Sequence, residues 1–136
     1  DKVIFSYASQ NTELFNTSII DNVLYPLGVE ESTAEKQENA KKLLQEFGFS
    51  SHAIFQEIEG IEQVLSGGEK KRIIFIRAIL SEAPVLLLDE VTSNLDVQNE
   101  NKMLAMIQKE AQKRCVILVT HREYDFGHST IVYNVK

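Results

Sequence analysis

Apolar residues follow alternating strand-like and helix-like patterns along the chain. Alternating apolar positions over residues 3–7 predict a first strand. The continuous run VLLL at 85–88 predicts a central strand of a parallel sheet that is covered on both faces, and CVILVT at 115–120 repeats this buried pattern. The run TIVY at 130–133 predicts a last strand.

Three segments between these strands show the residue spacing of helices: 17–24, 32–48 and 97 to about 113. The middle helix is predicted to begin with a capping box of Ser32 and Glu35 and to end at Gly48. Residues 49–64 lack a clean period, which predicts a short helix followed by a loop. Strand, helix and strand in succession predict a βαβ unit, and hence an α/β fold with a parallel sheet.

The stretch LSGGEKKR at 65–72 has the features of a helix start that binds an anion. Ser66 and Glu69 form a second predicted capping box, and the apolar run that follows predicts a buried helix. Gly67 and Gly68 allow a phosphate to approach the backbone and the positive end of the helix dipole. The stretch therefore predicts a phosphate contact.

The same helix is expected to extend to about Leu80 and carries three cations in its first turn, Lys70, Lys71 and Arg72. Cations at this end oppose the helix dipole unless an anion or an acidic neighbour offsets their charge. They either strengthen an anion site or are simply solvated, and both interpretations stay open.

Acidic residues follow the predicted strand at 85–88. Asp89 and Glu90 are expected outside the carboxyl end of that strand, where ligands of open α/β sheets gather. Asp89 is a candidate ligand for Mg²⁺, and Glu90 is a candidate to orient or deprotonate a water near a phosphate. His121 follows the next strand and is a candidate donor to a phosphate oxygen. The plainer alternatives are a solvated acidic pair and a hydrogen-bonded histidine at a strand end.

Composition limits the classes of protein to which this chain can belong. A chain of 136 residues with 43% hydrophobic residues can bury one core, so one domain or a large piece of one is expected. Its aliphatic runs are far shorter than the roughly 18 residues of a membrane span. The net charge of −6 arises in residues 1–60 and gives no support to nucleic-acid binding. The single cysteine, Cys115, excludes an internal disulfide and is predicted to be a small buried side chain.

Four motifs occur in a specific order along the chain: LSGGE at 65–69, VLLLDE at 85–90, SNLD at 93–96 and VTH at 119–121. In this order they resemble the nucleotide-binding domain of ABC transporters. Gln10 and the segment LFNTSIIDNV that follows it are similar to the exporter branch of that family. Three departures from the family pattern are Glu69, where Gln is commoner, Asn94, where Ala is usual, and the acidic loop before LSGGE, which matches the exporter pattern poorly.

The resemblance implies roles for residues in these motifs. Glu90, His121 and Gln10 would be catalytic, and Asp89 together with Gln10 would hold Mg²⁺. The contacts with ATP would come from six residues: Ser66, Gly67, Gly68, Glu69, Ser93 and Asp96.

The resemblance also implies a domain organisation, with one partial ABC ATPase domain over residues 1–136. Residues 1–15 and 82–136 would form part of the parallel-sheet core of a P-loop NTPase-like fold, and residues 16–81 would form an inserted helical subdomain with the signature helix. The 136 residues contain no GxxxxGK[ST] loop and begin without Met. A C-terminal portion that is inactive by itself is therefore expected.

A complete exporter of this kind would hydrolyse ATP at the cytoplasmic face of the cell membrane. Its ATPase domain would form a head-to-tail dimer with a second ATPase subunit and would attach to a transmembrane domain, and no nucleic-acid partner is expected. Two alternatives remain. One is the C-terminal lobe of a chromosome-organising ABC ATPase, which LSGGEKK and LDEV also suit. The other is a noncatalytic regulatory module that keeps half of an ATPase fold.

Overall fold

The computed structural model describes residues 4–25, 33–127 and 131 of the chain. Its sheet contains three parallel strands in the order β1, β2, β3: Phe5–Ser9, Val85–Asp89 and Cys115–Val119. The predicted central position of the second strand is confirmed. The first strand begins two residues later than predicted. The strand predicted at 130–133 lies outside the described residues except for Ile131, which is exposed.

The described helices are α1 Ile19–Leu24, α2 Ala34–Glu46, α3 Ile61–Val64, α4 Gly67–Leu80 and α5 Val97–Ala111. A 3₁₀ turn, Ala53–Phe55, precedes α3. The loop predicted before the LSGG stretch therefore contains the short helix α3. No helix in the described part of the chain has both the length and the apolar character needed to cross a membrane.

Side-chain caps fix where the longer helices begin. The capping box predicted at Ser66 and Glu69 is confirmed in both of its hydrogen bonds. The box predicted at Ser32 and Glu35 is wrong, because the hydroxyl of Thr33 accepts the hydrogen bond from the Lys36 N–H at 3.2 Å. Thr33 has the extended backbone that an N-cap requires, so the helix begins one residue later than the box implied.

The helix α4 lies at the centre of the core. Its residues Ile73–Ile76 are buried, as the apolar run predicted, and α4 packs against α1, α2 and the sheet. Leu86 and Leu88 of β2 are fully buried and belong to the same cluster. This packing sets the LSGG stretch, which precedes α4, in a fixed relation to the strand that carries Asp89.

One face of the sheet is exposed among the described residues. Side chains alternate between the two faces of a strand, and the parallel register places five exposed residues on this open face: Phe5, Tyr7, Cys115, Ile117 and Val119. The predicted coverage of both faces is therefore wrong for the described part of the chain, and so is the predicted burial of Cys115. The physical reason is that an apolar run shows only that both faces of a strand are apolar. It does not show whether a helix or another element packs on each face.

Candidate functional site

Glu90 and His121, two of the residues predicted for the site, lie in contact at the carboxyl edge of the sheet. Glu90 directly follows β2, and its N–H donates to the carbonyl oxygen of Val119 at the end of β3, at 2.9 Å. The Nε2 atom of His121 lies 3.1 Å from Oε1 of Glu90. The Glu90 side chain is only 20% exposed, whereas that of His121 is 94% exposed. The carboxylate is therefore largely shielded from solvent, while the imidazole faces outward.

Asp89 is positioned by a residue that the sequence did not identify as part of the site. The Tyr7 hydroxyl of β1 donates to Oδ2 of Asp89 at 3.1 Å. No sequence signal indicates this contact, because it depends on the register between β1 and β2. A half-buried carboxylate oriented by a phenol fits Mg²⁺, which takes one or two carboxylates and completes its shell with water and phosphate oxygens. Within residues 4–25, 33–127 and 131, no group of three or more His, Cys, Asp or Glu side chains forms a metal site of its own.

The turn after Asp89 contains two residues in the left-handed region of backbone conformation. Glu90 has a φ of 55° and Asn94 has a φ of 58°. Asn tolerates this conformation better than most residues with a Cβ, which gives a physical reason for Asn94 where the family pattern has Ala. The Ser93 hydroxyl closes the turn by donating to the Glu90 carbonyl oxygen at 3.0 Å.

Asp96 ends this turn and caps α5. It accepts hydrogen bonds from the Asn99 N–H at 2.8 Å and from the Asn99 side-chain amide at 2.7 Å. These two bonds, the backbone one first, hold the pKa of Asp96 below its ordinary value. Asp96 thus has a structural role at the helix start, beside the nucleotide contact predicted for it.

The glycines of the LSGG stretch are not required by packing within the chain. A Cβ at Gly67 would meet no other atom of the described chain within 4 Å, and a Cβ at Gly68 would lie 3.8 Å from Leu95, an ordinary contact. Both residues belong to α4 and neither has a positive φ. Open space at a helix start is what a ligand that approaches from outside the chain needs.

The three cations of the first turn of α4 have partners within the chain. Lys70 lies 2.9 Å from Oε2 of Glu62, and Lys71 donates to both the carbonyl and the hydroxyl oxygen of Ser93. Arg72 donates to the carbonyl oxygen of Phe47. The interpretation of these residues as simply solvated is therefore wrong. An acidic neighbour offsets the charge of Lys70.

Gln10 directly follows β1, at the same edge of the sheet as Asp89 and His121, and is exposed. It lines a cleft of about 400 Å³ together with Glu13, Glu62 and neighbouring residues. Among the described residues, no hydrogen bond or ion pair joins Gln10 or Ser66 to the Asp89, Glu90 and His121 group. The structure therefore brings Glu90 and His121 into contact beside Asp89, while Gln10 and Ser66 have no described bond to this group.

Glu62 connects the segment after Gln10 with α4. Its Oε1 accepts the Leu14 N–H at 2.8 Å, and its Oε2 pairs with Lys70. The hydrogen bond from Lys70 is the main cause that lowers the pKa of Glu62 below its ordinary value of 4.5, and the Leu14 N–H adds to it. Because the folded-state pKa is lowered, the stabilisation by this pair is present above the ordinary value. It is lost as the pH falls through the folded-state pKa.

We expect Lys70→Met to raise the pKa of Glu62 towards 4.5, because the largest cause of its lowering is removed while the Leu14 N–H remains. An NMR titration of the Glu62 carboxyl carbon measures this. Lys102→Met is the control, since Lys102 donates to the Glu46 carbonyl oxygen, is not among the causes of the Glu62 shift and should leave the pKa of Glu62 unchanged. An identical Glu62 titration in the wild type and in Lys70→Met would contradict the expectation.

Comparison with known proteins adds independent findings. The family model described as ABC transporter matches residues 2–93. The ATP-dependent lipid A-core flippase of Vibrio vulnificus strain YJ016 is 34% identical over 125 residues, which cover 87% of this chain and 21% of that protein. The ATP-dependent lipid A-core flippase 1 of Colwellia psychrerythraea is 35% identical over 121 residues, with 87% and 20% covered. The flippase of Legionella pneumophila strain Paris is 33% identical over 131 residues, with 91% and 21% covered. The chain thus spans about a fifth of the length of these relatives.

Proposed function

This chain belongs to the ABC transporter family, and we propose that it is the C-terminal part of the ATP-binding domain of an exporter. The complete protein would couple ATP hydrolysis to transport across a membrane. Residues 1–15 and 82–136 would contribute to the core sheet, and residues 16–81 would form the helical subdomain. The names of the relatives, which are flippases, support the exporter branch.

The observation that carries the proposal is the contact between Glu90 and His121 beside Asp89. A general base must lie within hydrogen-bond reach of the water it activates and must have a fixed orientation. Glu90 has a fixed backbone through Val119 and a mostly buried carboxylate, so it suits the base that directs water at a γ-phosphate. His121 is exposed and suits a donor that reaches the phosphate itself.

Asp89 and Gln10 would hold Mg²⁺ at the same edge of the sheet. When bound, the ion supplies positive charge that neutralises the phosphate oxygens during phosphoryl transfer. The contribution of the chain is to orient the ligands, and Tyr7 does this for Asp89 through its hydrogen bond. Six residues would contact ATP: Ser66, Gly67, Gly68, Glu69, Ser93 and Asp96.

The phosphates that these six ATP-contacting residues meet would be held by another subunit. The 136 residues contain no GxxxxGK[ST] loop, yet α4 begins with two glycines at which an added Cβ would meet no close contact, which suits the approach of an anion. A head-to-tail dimer places the LSGG stretch of one subunit over the nucleotide bound by the P-loop of the other. The complete protein would lie at the cytoplasmic face of the cell membrane, attached to its own or an associated transmembrane domain.

We expect the complete protein to hydrolyse MgATP and the 136-residue chain alone to show no turnover and little binding, because a P-loop normally makes most of the phosphate contacts. Isothermal titration calorimetry with MgATP tests the binding, and the complete protein titrated under the same conditions is the positive control. Micromolar affinity of the 136-residue chain would contradict the proposal, since it would require a nucleotide site within these residues.

A further inference from the structure

We propose that Lys71 is a positioning residue for Glu90, which it holds in place from helix α4 by clamping the turn 90–94. The inference rests on the proposed role of Glu90 in hydrolysis. The sequence motifs give Lys71 no specific role, although it belongs to the LSGGEKKR stretch.

A continuous series of hydrogen bonds links α4 to Glu90. The Lys71 ammonium donates to two oxygens of Ser93, the carbonyl oxygen and the hydroxyl at 2.7 Å. With its oxygen occupied as an acceptor, the Ser93 hydroxyl donates its own proton to the Glu90 carbonyl oxygen at 3.0 Å. A lysine has three donors and loses much side-chain freedom when fixed, so two bonds to one residue indicate a specific clamp.

The turn needs such a clamp because of its backbone. Left-handed φ values at residues with a Cβ are unfavourable and persist where surrounding contacts hold them. Glu90 and Asn94 both have such values, and Lys71 binds between them at Ser93. Other restraints on the turn include the hydrogen bond from the Glu90 N–H to β3, the 3.1 Å contact between Glu90 and His121, and the 3.1 Å hydrogen bond between Thr92 and the Tyr124 hydroxyl. Lys71 is thus the restraint that ties this turn to the helix of the LSGG stretch.

The surroundings of Lys71 agree with this role. Burial lowers the pKa of Lys71, while the negative charge of Glu90 raises it. The ammonium therefore lies partly buried and within the field of the carboxylate that it would position. Because it bonds to Ser93 and is only partly exposed, it is placed to act on the turn rather than on a bound nucleotide.

The kinetic test uses Lys71→Met and Lys71→Arg in the complete protein. We expect Lys71→Met to lower kcat for ATP by about tenfold, because a displaced base slows the reaction, and to raise KM by a smaller factor of up to about threefold, because Ser93 is itself a proposed contact of the nucleotide. Lys71→Arg should restore kcat to within about threefold of wild type, since a guanidinium can donate to both Ser93 oxygens. Lys102→Met removes a lysine bond to the Glu46 carbonyl oxygen, which involves no residue of the turn 90–94, and should leave both constants unchanged.

Hydrogen exchange provides a readout that does not depend on hydrolysis. In Lys71→Met the amides of Glu90 and Ser93 should exchange faster, while the amide of Ile74 in the middle of α4 should be unchanged. If Lys71→Met does not fold, Lys71→Gln, which keeps a shorter neutral donor, should show the same changes. Wild-type kcat together with unchanged exchange at Glu90 and Ser93 would overturn the inference. A raised KM at normal kcat would overturn it too, since it would show an effect on nucleotide binding alone and none on Glu90. A wild-type protein without ATPase activity would instead refute the proposed function.

Discussion

Replacing Glu90 by Gln in the complete protein is expected to preserve ATP binding and to reduce hydrolysis by about two to four orders of magnitude. The amide keeps the shape and the hydrogen-bonding reach of the carboxylate but cannot accept the proton of the attacking water. Single-turnover hydrolysis and equilibrium binding of MgATP measure the two quantities separately. The expected product is a dimer trapped with ATP bound.

The structure makes Glu90→Gln an interpretable change. Gln has nearly the same size as Glu and keeps a carbonyl oxygen that can still meet Nε2 of His121, which lies 3.1 Å from Glu90 in the wild type. The left-handed backbone at this position is equally unfavourable for both residues, so the substitution adds no new strain. Near-normal turnover in Glu90→Gln would therefore show that the base is elsewhere, and His121 would be the next candidate.

The second large effect is expected from Gly67→Asp, which should abolish nucleotide-driven closure without unfolding the subunit. A new side chain at Gly67 has open space within the chain, so the helix should tolerate it. The added volume and negative charge would instead oppose the γ-phosphate of a nucleotide bound to the partner subunit. Gly67→Ala is the matched control, since it adds a Cβ without charge and should retain more closure.

Mixed dimers show in which subunit the Gly67→Asp defect acts. One subunit carries Gly67→Asp and the other carries a disabled P-loop, and ATP-induced closure is measured by cross-linking between subunits. If the LSGG stretch serves the nucleotide of its partner, both defects fall in one composite site and the second site stays intact and closes. If it serves the nucleotide of its own subunit, both sites are damaged and no closure occurs. The second result would refute the trans arrangement.

The sequence predicted the features that depend on local chemistry or on the edges of parallel strands. The capping box at Ser66 and Glu69 involves neighbouring residues, so its two hydrogen bonds were predictable and are confirmed. Glu90 and His121 were expected at one edge because both follow parallel strands, and they are in contact. The chemical roles of these residues stay predictions until the variants are measured.

The features that the sequence missed depend on long-range packing. The Tyr7 contact with Asp89 requires the exact register of β1, and the Lys71 clamp requires the placement of α4 against the turn after β2. Cys115 was predicted to be buried because its strand is apolar, but burial also depends on what covers the sheet. The cap at Thr33 was missed because the adjacent serine offered an equally good motif.

The pairing of β1 with β2 has a consequence for how the chain folds. Phe5 pairs with Val85, and all of α1–α4 lies between them along the chain. During synthesis β1 leaves the ribosome before β2, which is its partner strand among the described residues. The helices α1, α2 and α4 contact one another and can pack in the meantime. Contacts so distant in sequence form slowly, and an unpaired apolar strand is prone to aggregation. Closure of the sheet is therefore expected to be the late step of folding, after the helical segment has assembled.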